Sequence, residues 1–397
     1  MVRFLRRGAG VNARRLSPPQ LADALSAARA ATLAATVDLD DRAWVPAYDP
    51  GLQPTAWDLA HIGWFAEFWL LRGPHRIGPD GNARADRPPR WFGPDEQLDS
   101  ARIAHRARWQ MPLLPRAELL ARLQDQLAAC RQALAAGPDD DRLYHAHFAL
   151  FHELMHTEAL AWTRAIQALP APPGLVMPSV GALPELWIDG GEHRLGGGGD
   201  GEFAFDNELP GRTVRLEPFA IDAVPVVNAR FAAFVDAGGY ERDELWPGAA
   251  GAWRERRAAR LPQRWRRTGT GFEQRWFDRW QPLVPDAPVV HMSAFEAEAF
   301  CRWAGRRLPS AAEWEVAAPR LSWGDTVWEW TADPFAPYAG FRPGPYTTYS
   351  APWFHHQREL RGGCFATHRL MHDHRYRNFF LPGRTDVFAG FRTVAAD

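Results

Sequence analysis

The feature that most constrains the fold is a change in hydrophobic pattern at residues 170–185. Before this segment, apolar residues recur at helical spacing over long stretches. The segment itself, PAPPGLVMPSVGALPE, is rich in proline and glycine, which interrupt regular structure. After it, short β-branched and aromatic runs are separated by Gly/Pro turns. The pattern predicts a helical domain over 1–169, a linker over 170–185 and an irregular α+β domain over 186–397.

Four long segments of the first domain are predicted to be helices. Ser17 is a candidate N-cap that two prolines follow, before apolar residues at helical spacing. The segment 54–71 is apolar nearly all round, which indicates a buried helix. Further helices are predicted over 116–136 and 141–169, and the clearest helix after the linker covers 293–306. Four segments of this kind favour a four-helix bundle, whose core is a usual place for a metal site.

Composition excludes several classes of function. All 46 basic residues are arginine, so the chain lacks the lysine that a P-loop or a pyridoxal phosphate enzyme needs. A formal net charge of −1 gives no electrostatic reason to expect nucleic acid or an anionic membrane as a partner. No apolar run reaches the length of about 18 residues that spans a membrane, and the basic N-terminus lacks a signal-peptide core. Three scattered cysteines do not suggest a disulfide framework. We therefore expect a cytoplasmic protein, of an oligomeric state that the sequence does not give.

The segment FHELMHTEAL carries two histidines on the fourth predicted helix. His152 and His156 are four residues apart, so they project from one face about 6 Å apart along the helix axis. Two imidazoles at this spacing can share a metal ion, and a third ligand must come from elsewhere. His145 lies on the same face, but about 10.5 Å of rise separates it from His152. We expect the third ligand to be His61, the histidine of the second predicted helix. Three histidines leave positions open for exogenous ligands, as in a catalytic site.

The same segment matches the H-E-x-x-H pattern of zinc metalloproteases, but its flanks argue against that function. Ala159 and Trp162 stand where a metzincin has glycine and histidine. A thermolysin-like enzyme takes a carboxylate from a later helix, whereas this chain enters the proline-rich linker. Glu153 then has no evident role as a general base. We interpret it as a residue that supports the site from outside or lies at the surface.

These residues carry a family resemblance. PTAWDLAHIGWFAEFWLL and FHELMHTEAL resemble the N-terminal DinB-like domain of the ergothioneine-type nonheme iron sulfoxide synthases. The second half resembles the formylglycine-generating-enzyme domain, a C-type-lectin-like fold, over residues 203–240, 292–318, 326–335 and 360–392. The resemblance implies a multi-domain α and α+β fold, with a DinB-like four-helix bundle before that domain. It implies that His61, His152 and His156 bind Fe(II). The implied reaction forms a C–S or C–Se bond at the imidazole C2 of hercynine with O₂.

The resemblance also implies substrate-binding residues. In PYTTYS, Tyr346 matches the catalytic proton or hydrogen donor and Tyr349 a residue that helps to bind hercynine; the alternative is that both are ordinary loop tyrosines. Family members that use γ-glutamylcysteine carry R-N-W-D, whose aspartate binds the substrate ammonium. This chain instead has Asn378, Phe379 and Phe380 after the arginine, so that aspartate is missing.

Two further departures concern the sulfur donor. Relatives hold the donor carboxylates with two arginines ahead of a proline, whereas here Arg108 is followed by Met111 at the second position. Met155 replaces a glutamine before the second helix-four histidine. A site that lacks these charged partners should bind a zwitterionic dipeptide poorly. The pattern is most similar to the selenoneine synthase (SenA) branch, whose members join hercynine to a selenosugar.

Several alternatives stay open. A sulfoxide synthase that uses cysteine or γ-glutamylcysteine is the first alternative, and a non-catalytic metal-binding or thiol-binding module is the second. The loop THRLMHDH adds His368, His372 and His374, which either form a second metal site, contact substrate or lie in a solvated loop.

Overall fold

The computed structural model of the protein describes residues 12–197 and 201–396, and the chain divides into two compact units. Among the described residues, the first unit comprises 12–48, 53–157 and 201–204, and the second comprises 49–52, 158–197 and 205–396. The domain boundaries that the sequence suggests, at 169 and 186, stay predictions. No helix in these described ranges has the length and apolar character needed to cross a membrane.

The first unit is a helical bundle with one small hairpin. Its helices are α1 (Pro18–Ala34), α2 (Asp41–Trp44), α3 (Thr55–Ala66), α4 (Asp95–Leu98), α5 (Arg116–Ala135) and α6 (Asp140–Ile166), the last of which belongs to this unit as far as Thr157. Strands β1 (His75–Ile77) and β2 (Ala83–Ala85) pair antiparallel. The four predicted long helices correspond to α1, α3, α5 and α6. The second of them changes type, because α3 ends at Ala66 and a π-helical turn follows over Glu67–Leu71.

Close packing holds the long helices of this unit together. A Cβ atom at Gly63 of α3 would lie 2.4 Å from the Phe92 ring and 2.8 Å from the Leu123 side chain of α5. Any larger residue at this position would therefore displace the Phe92 ring and the Leu123 side chain, which pack against α3. Arg29 of α1 forms a buried ion pair with Glu153 of α6, at 2.7 Å. The two contacts fix α1, α3, α5 and α6 around one core.

The second unit combines short helices with small sheets. Its helices are α7 (Asn228–Asp236), α8 (Ala249–Arg256), α9 (Ala294–Ala304) and α10 (Ala311–Ala317). Its strands are β3 (Leu186–Ile188), β4 (Gly191–Leu195), β5 (Arg212–Leu216), β6 (Phe219–Ile221), β7 (Trp265–Thr268), β8 (Gly271–Trp276), β9 (Arg279–Pro282), β10 (Arg306–Arg307), β11 (Trp328–Pro334), β12 (Arg358–Gly362), β13 (Asn378–Phe380), β14 (Ala389–Gly390) and β15 (Val394–Ala395). The sheet orders are β10-β15-β6-β3, β13-β12-β11-β14, β4-β5 and β7-β8-β9.

Large aromatic side chains fill the core of the second unit. Trp314, Trp328 and Trp330 are each at most 1% exposed, and each indole N–H donates a hydrogen bond to a buried acceptor. Tryptophan suits such positions because its ring buries a large apolar area while its N–H finds a partner. The cysteines Cys301 and Cys364 of this unit are buried and free.

Candidate metal centre

Two helices of the first unit bring three histidines together. His61 extends from α3, and His152 and His156 extend from successive turns of α6. One ligand atom of each ring lies within 4.8 Å of the other two. The Nε2 atoms of His61 and His152 are 3.1 Å apart, within the range of about 3.0 to 3.4 Å that separates neighbouring nitrogens bound to one ion in octahedral or tetrahedral geometry. We refer to these residues as the three-histidine centre.

Hydrogen bonds fix which nitrogen carries the proton in two of the rings. His61 Nδ1 lies 2.6 Å from the carbonyl oxygen of Leu98, which can only accept, so Nδ1 donates. His156 Nδ1 lies 2.8 Å from Asp58 Oδ1 and donates to this carboxylate. In a neutral ring the lone pair is then on Nε2. His152 Nδ1 is buried without a hydrogen-bond partner in the described parts of the chain. Two rings are therefore oriented for metal binding by the bond that their other nitrogen makes.

The short helix α4 holds the carbonyl group that orients His61. Trp57 Nε1 donates to the carbonyl oxygen of Gln97 at 2.9 Å, one residue before Leu98. Trp64 Nε1 donates to Asp95 Oδ1 at 2.8 Å. Both tryptophans belong to α3, as His61 does. One helix thus supplies a ligand and also anchors the segment that fixes the orientation of this ligand.

Asp58 is a candidate functional residue that the sequence analysis missed. It lies on α3 one turn before His61, is 4% exposed and is the only charged residue of this helix. A buried carboxylate needs a hydrogen-bonded or charged partner, and this one accepts from His156. The signal was present in the sequence, as a lone aspartate three residues before a histidine in an apolar helix.

Burial controls the charge of the centre. It lowers the pKa of His61 well below the ordinary value, and the nearby His156 lowers this pKa further. Burial and His156 also lower the pKa of His152. Trp57 stacks on His61 with ring centroids 4.8 Å apart, and Phe65 stacks on His152 at 3.7 Å. Neutral imidazoles held in this way suit iron, zinc, copper or nickel, so the residues present fit a transition-metal ion.

Glu153 is buried. The sequence-based interpretation that it lies at the surface is therefore wrong. The residue is 1% exposed, and its carboxylate accepts from Arg29 Nε at 2.7 Å and from Arg29 Nη2 at 3.1 Å. The same arginine donates to the carbonyl oxygen of Leu123 at 2.6 Å. Because this pair joins α6 to α1, Glu153 is committed to helix packing and is not available as a general base.

Arg108 stacks on Trp57, which in turn stacks on His61 of the three-histidine centre. Its guanidinium carbon lies 4.2 Å from the centroid of the Trp57 ring, and the same ring stacks on His61. Arg108 also donates to the side-chain oxygen of Gln53. Met155 is half-buried on α6, directly before His156. The roles of Arg108 and Met155 in substrate binding stay predictions.

The two predicted active-site tyrosines lie in one turn of the second unit. Tyr349 donates its backbone N–H to the carbonyl oxygen of Tyr346 at 3.0 Å. The Tyr349 ring stacks on Phe205 with centroids 5.1 Å apart. Burial and the neighbouring Tyr376 raise the pKa of Tyr349 well above the ordinary value, so its hydroxyl is protonated at neutral pH. The assignment of catalytic roles to this pair stays a prediction.

Three further predicted substrate residues lie on strand β13 (Asn378–Phe380), and their side chains alternate between its two faces. Phe379 approaches Tyr349 edge-on, with centroids 6.3 Å apart. Phe380 packs edge-on against Trp162, at 5.8 Å. Successive strand residues point to opposite faces of a sheet, so Asn378 lies on the same face as Phe380. Of these three residues, Phe379 is the one that the structure places beside a predicted active-site tyrosine.

The loop histidines of the second unit do not converge. Among the residues that the structure describes, His368, His372 and His374 are not one of the clusters whose ligand atoms lie close enough to share an ion. Instead, His368 Nδ1 accepts a hydrogen bond from the backbone N–H of Leu370 at 3.2 Å.

Comparisons with known proteins agree with this architecture. The family model of the DinB superfamily matches residues 24–162, and that of the sulfatase-modifying factor enzyme 1-like domain matches residues 179–326. The hercynine oxygenase of Mycobacterium tuberculosis is 33% identical over 434 aligned positions, which cover 95% of this chain and 98% of that protein. The chain belongs to the hercynine oxygenase family. The hercynine oxygenase of Mycolicibacterium smegmatis is 32% identical, over 94% of this chain and 97% of that protein.

Membership of the hercynine oxygenase family confirms the predicted fold class, in which a DinB-like helical domain precedes a formylglycine-generating-enzyme-like domain. The second domain is also similar to the formylglycine-generating enzyme of Streptomyces coelicolor, with 36% identity over 40% of this chain and 58% of that enzyme. The chain is an oxidoreductase of the hercynine oxygenase type. The open alternative of a non-catalytic binding module is thereby set aside.

Proposed function

We propose that the chain is an Fe(II)-dependent enzyme that uses O₂ to join C2 of the hercynine imidazole to a chalcogen donor. The observation that carries this proposal is the three-histidine centre, in a chain that matches a hercynine oxygenase over 95% of its length. His61, His152 and His156 would hold the metal. When bound, Fe(II) supplies the redox chemistry that couples reduction of O₂ to formation of the new bond.

The overall reaction balances with a thiol as the donor. Hercynine loses its C2 hydrogen and the thiol loses its S–H hydrogen as the C–S bond forms, which releases two electrons. Oxidation of the sulfur to a sulfoxide releases two more. One molecule of O₂ accepts all four electrons, places one oxygen atom on sulfur and leaves the other as water.

The residues of the chain have distinct tasks in this proposal. The Leu98 carbonyl group and the Asp58 carboxylate orient His61 and His156 for metal binding. We assign to the Tyr346 hydroxyl the donation of a proton or hydrogen atom during turnover. We assign to Tyr349 the binding of hercynine, with Phe379 as its aromatic neighbour. All substrates are small molecules, and nothing in the composition calls for a nucleic acid or a membrane.

Our first candidate for the donor is a small thiol, cysteine or γ-glutamylcysteine, because the similarity to hercynine oxygenases extends over nearly the whole chain. A selenosugar is the second candidate, and the contacts of Phe380 favour it. Where a γ-glutamylcysteine enzyme would have its aspartate, this ring packs against Trp162 and beneath the Arg384 guanidinium, at 4.8 Å. The Arg384 guanidinium already lies over this ring and would repel an ammonium group, whereas an uncharged sugar meets no such repulsion.

The test is an aerobic assay of the Fe(II)-loaded protein with hercynine and, in separate reactions, cysteine, γ-glutamylcysteine, a thiosugar and a selenosugar. O₂ uptake and mass spectrometry of the products are measured together. A C–S product from cysteine or γ-glutamylcysteine establishes the first candidate. A C–Se product from the selenosugar, without a product from either of these two thiols, establishes the second. Absence of O₂ uptake with hercynine and every donor would refute the proposed reaction.

A charge at position 380 should change the choice of donor. We expect Phe380→Asp to raise turnover of γ-glutamylcysteine relative to the selenosugar by about 10-fold or more, because a charge-assisted hydrogen bond contributes roughly 1.5–3 kcal/mol. The matched control is Phe380→Asn, which has the size of aspartate without its charge. Equal donor ratios for the two variants, measured as kcat/KM, would show that position 380 does not contact the donor.

A further inference from the structure

The first unit contains a second group of metal-ligating side chains, formed by His75, Asp141 and His145. His75 begins β1, and Asp141 and His145 lie one turn apart at the start of α6. One ligand atom of each lies within 4.8 Å of the other two. We refer to this group as the second cluster. It is distinct from the three-histidine centre, because seven residues, or about 10.5 Å of helix rise, separate His145 from His152.

His145 is buried without the hydrogen bonds that a buried imidazole requires. Its side chain is 2% exposed, and neither ring nitrogen makes a hydrogen bond of ordinary geometry to a described residue; the ring has only a weak interaction with the backbone of Asp141. The nearest charged atom is Asp141 Oδ2, which lies 3.5 Å from His145 Nδ1, beyond a normal hydrogen bond. Buried polar groups in native proteins are almost always satisfied. This ring therefore indicates a partner that the protein atoms do not supply.

His75 presents a lone pair of its own. Its Nε2 lies 2.8 Å from the carbonyl oxygen of Phe68, which can only accept, so Nε2 carries the proton. The lone pair of the neutral ring is then on Nδ1, and this atom is also buried without a hydrogen-bond partner in the described ranges. An outer carbonyl group thus fixes the tautomer, as it commonly does for a metal-binding histidine.

The surroundings hold both rings in place and favour a cation. Trp69 stacks on His145 with centroids 4.9 Å apart and tilts against His75 at 4.6 Å. Asp141 is the principal negative charge acting on His145, and Asp139 adds to it.

The arginine that acts electrostatically on His75 is already paired with a carboxylate. Arg72, which acts on His75, forms two hydrogen bonds with the Asp95 carboxylate at 2.7 and 3.0 Å. The carboxylate of Asp141, which is 72% exposed, can rotate toward an ion with little loss of packing.

We propose that His75, Asp141 and His145 bind a divalent transition-metal ion of the zinc type. Two imidazoles and one carboxylate are the donors that such ions prefer, whereas magnesium and calcium take oxygen ligands. Small rotations would bring ligand atoms that lie within 4.8 Å to the spacing of about 3.3 Å in a tetrahedral zinc site. Water completes the coordination. The bound ion ties β1 to the first turn of α6, the helix that carries two residues of the three-histidine centre.

The test measures Zn²⁺ binding to the full-length chain carrying His156→Ala, so that the three-histidine centre does not compete. Equilibrium dialysis with elemental analysis should find one Zn²⁺ per chain. Asp141→Asn, added to this background, should lower the affinity by about 10-fold or more, beyond the effect expected of a mere change in helix charge. His145→Ala should remove the binding.

The matched control is Asp140→Asn, which removes an equal charge from the neighbouring exposed position in the same helical turn. This variant should bind Zn²⁺ as its parent does. Because Asp141 is exposed, its substitution leaves the packing of the unit intact even if His145→Ala fails to fold. Co²⁺ provides a second readout, since its visible absorption in the second cluster should disappear in Asp141→Asn.

Two results would overturn the proposal. One is Zn²⁺ binding that is equal in Asp141→Asn and Asp140→Asn, and the other is no Zn²⁺ bound by the His156→Ala chain. Neither readout involves turnover of hercynine, so failure of this proposal is distinguishable from failure of the proposed oxygenase reaction.

Discussion

Helix α6 carries members of the three-histidine centre and of the second cluster, and these two groups differ in how their side chains are fixed. In the three-histidine centre, two of the rings are oriented by the Leu98 carbonyl group and the Asp58 carboxylate, and the most exposed side chain, that of His156, is 16% exposed. In the second cluster, one carboxylate is 72% exposed, and one buried ring makes no hydrogen bond of ordinary geometry within the described part of the chain. The first cluster is preorganised, whereas the second would have to order an exposed carboxylate in order to bind an ion.

This difference has an energetic consequence. Ordering an exposed side chain costs conformational entropy that a preorganised site has already lost during folding. We therefore expect the three-histidine centre to bind its metal more tightly than the second cluster does. Under the two proposals, the three-histidine centre would serve the oxygenase reaction, and the second cluster would be a weaker site that ties β1 to α6.

The largest expected effect comes from removing a ligand of the three-histidine centre. His61→Ala, His152→Ala and His156→Ala should each lower iron affinity by more than about 100-fold, since loss of an outer partner alone costs roughly 10- to 100-fold. Oxygenase turnover should be lost with the iron. Elemental analysis and O₂ uptake measure the two effects.

His147→Ala is the control for these ligand variants. This histidine lies on α6 as well, but its Nδ1 donates to the carbonyl oxygen of Leu143 in the same helix. It should keep its iron. Full iron occupancy after substitution of any one of the three histidines would contradict the contrast between the two clusters, because iron binding would then not require the preoriented rings.

The next largest effect concerns Glu153, which lies beside a ligand in sequence yet serves helix packing. Glu153→Gln should lower the free energy of unfolding by about 3 kcal/mol, because breaking a buried ion pair costs roughly 3–5 kcal/mol. Urea unfolding measures this change. Iron content and turnover of the folded protein should stay near the wild-type values.

The control replaces both partners of the pair. The double variant Arg29→Met/Glu153→Leu should recover most of the lost stability, since well-packed apolar residues can substitute for a buried ion pair. If Glu153→Gln instead abolished turnover at an unchanged urea midpoint, Glu153 would be a catalytic base, and the helix-packing role would be wrong.

The smallest of the three expected effects tests whether the orientation of His156 by Asp58 contributes to iron affinity. Asp58→Asn keeps the size of the side chain but removes the charge that His156 Nδ1–H faces, so iron affinity should fall by roughly 10- to 100-fold. Competition with a chelator measures it. In a His156→Ala background the same substitution should have no further effect, because the ring that Asp58 orients is gone. An equal loss in both backgrounds would assign Asp58 to the stability of α3.

Local patterns in the sequence were enough for the helices and for the paired ligands. Apolar periodicity predicted α1, α3, α5 and α6, because helix formation and burial of one face depend on neighbours three and four residues away. The spacing of His152 and His156 places both on one helix face by geometry alone. The π-helical turn after Ala66 was not predicted, because a continuous apolar run does not distinguish a π-helix from an α-helix.

Contacts between distant parts of the chain were decided only by the tertiary structure. Leu98 lies 37 residues from His61, and Asp58 lies 98 residues from His156. His75 meets His145 through the packing of separate elements, with ring centroids 5.3 Å apart. No periodicity encodes such pairs, because their approach depends on how α3, α4 and α6 pack. The sequence alone therefore indicated His61, His152 and His156 as candidate ligands, and only the packing of the helices decided which ligand atoms lie close together, including those of His75, Asp141 and His145, and which groups orient them.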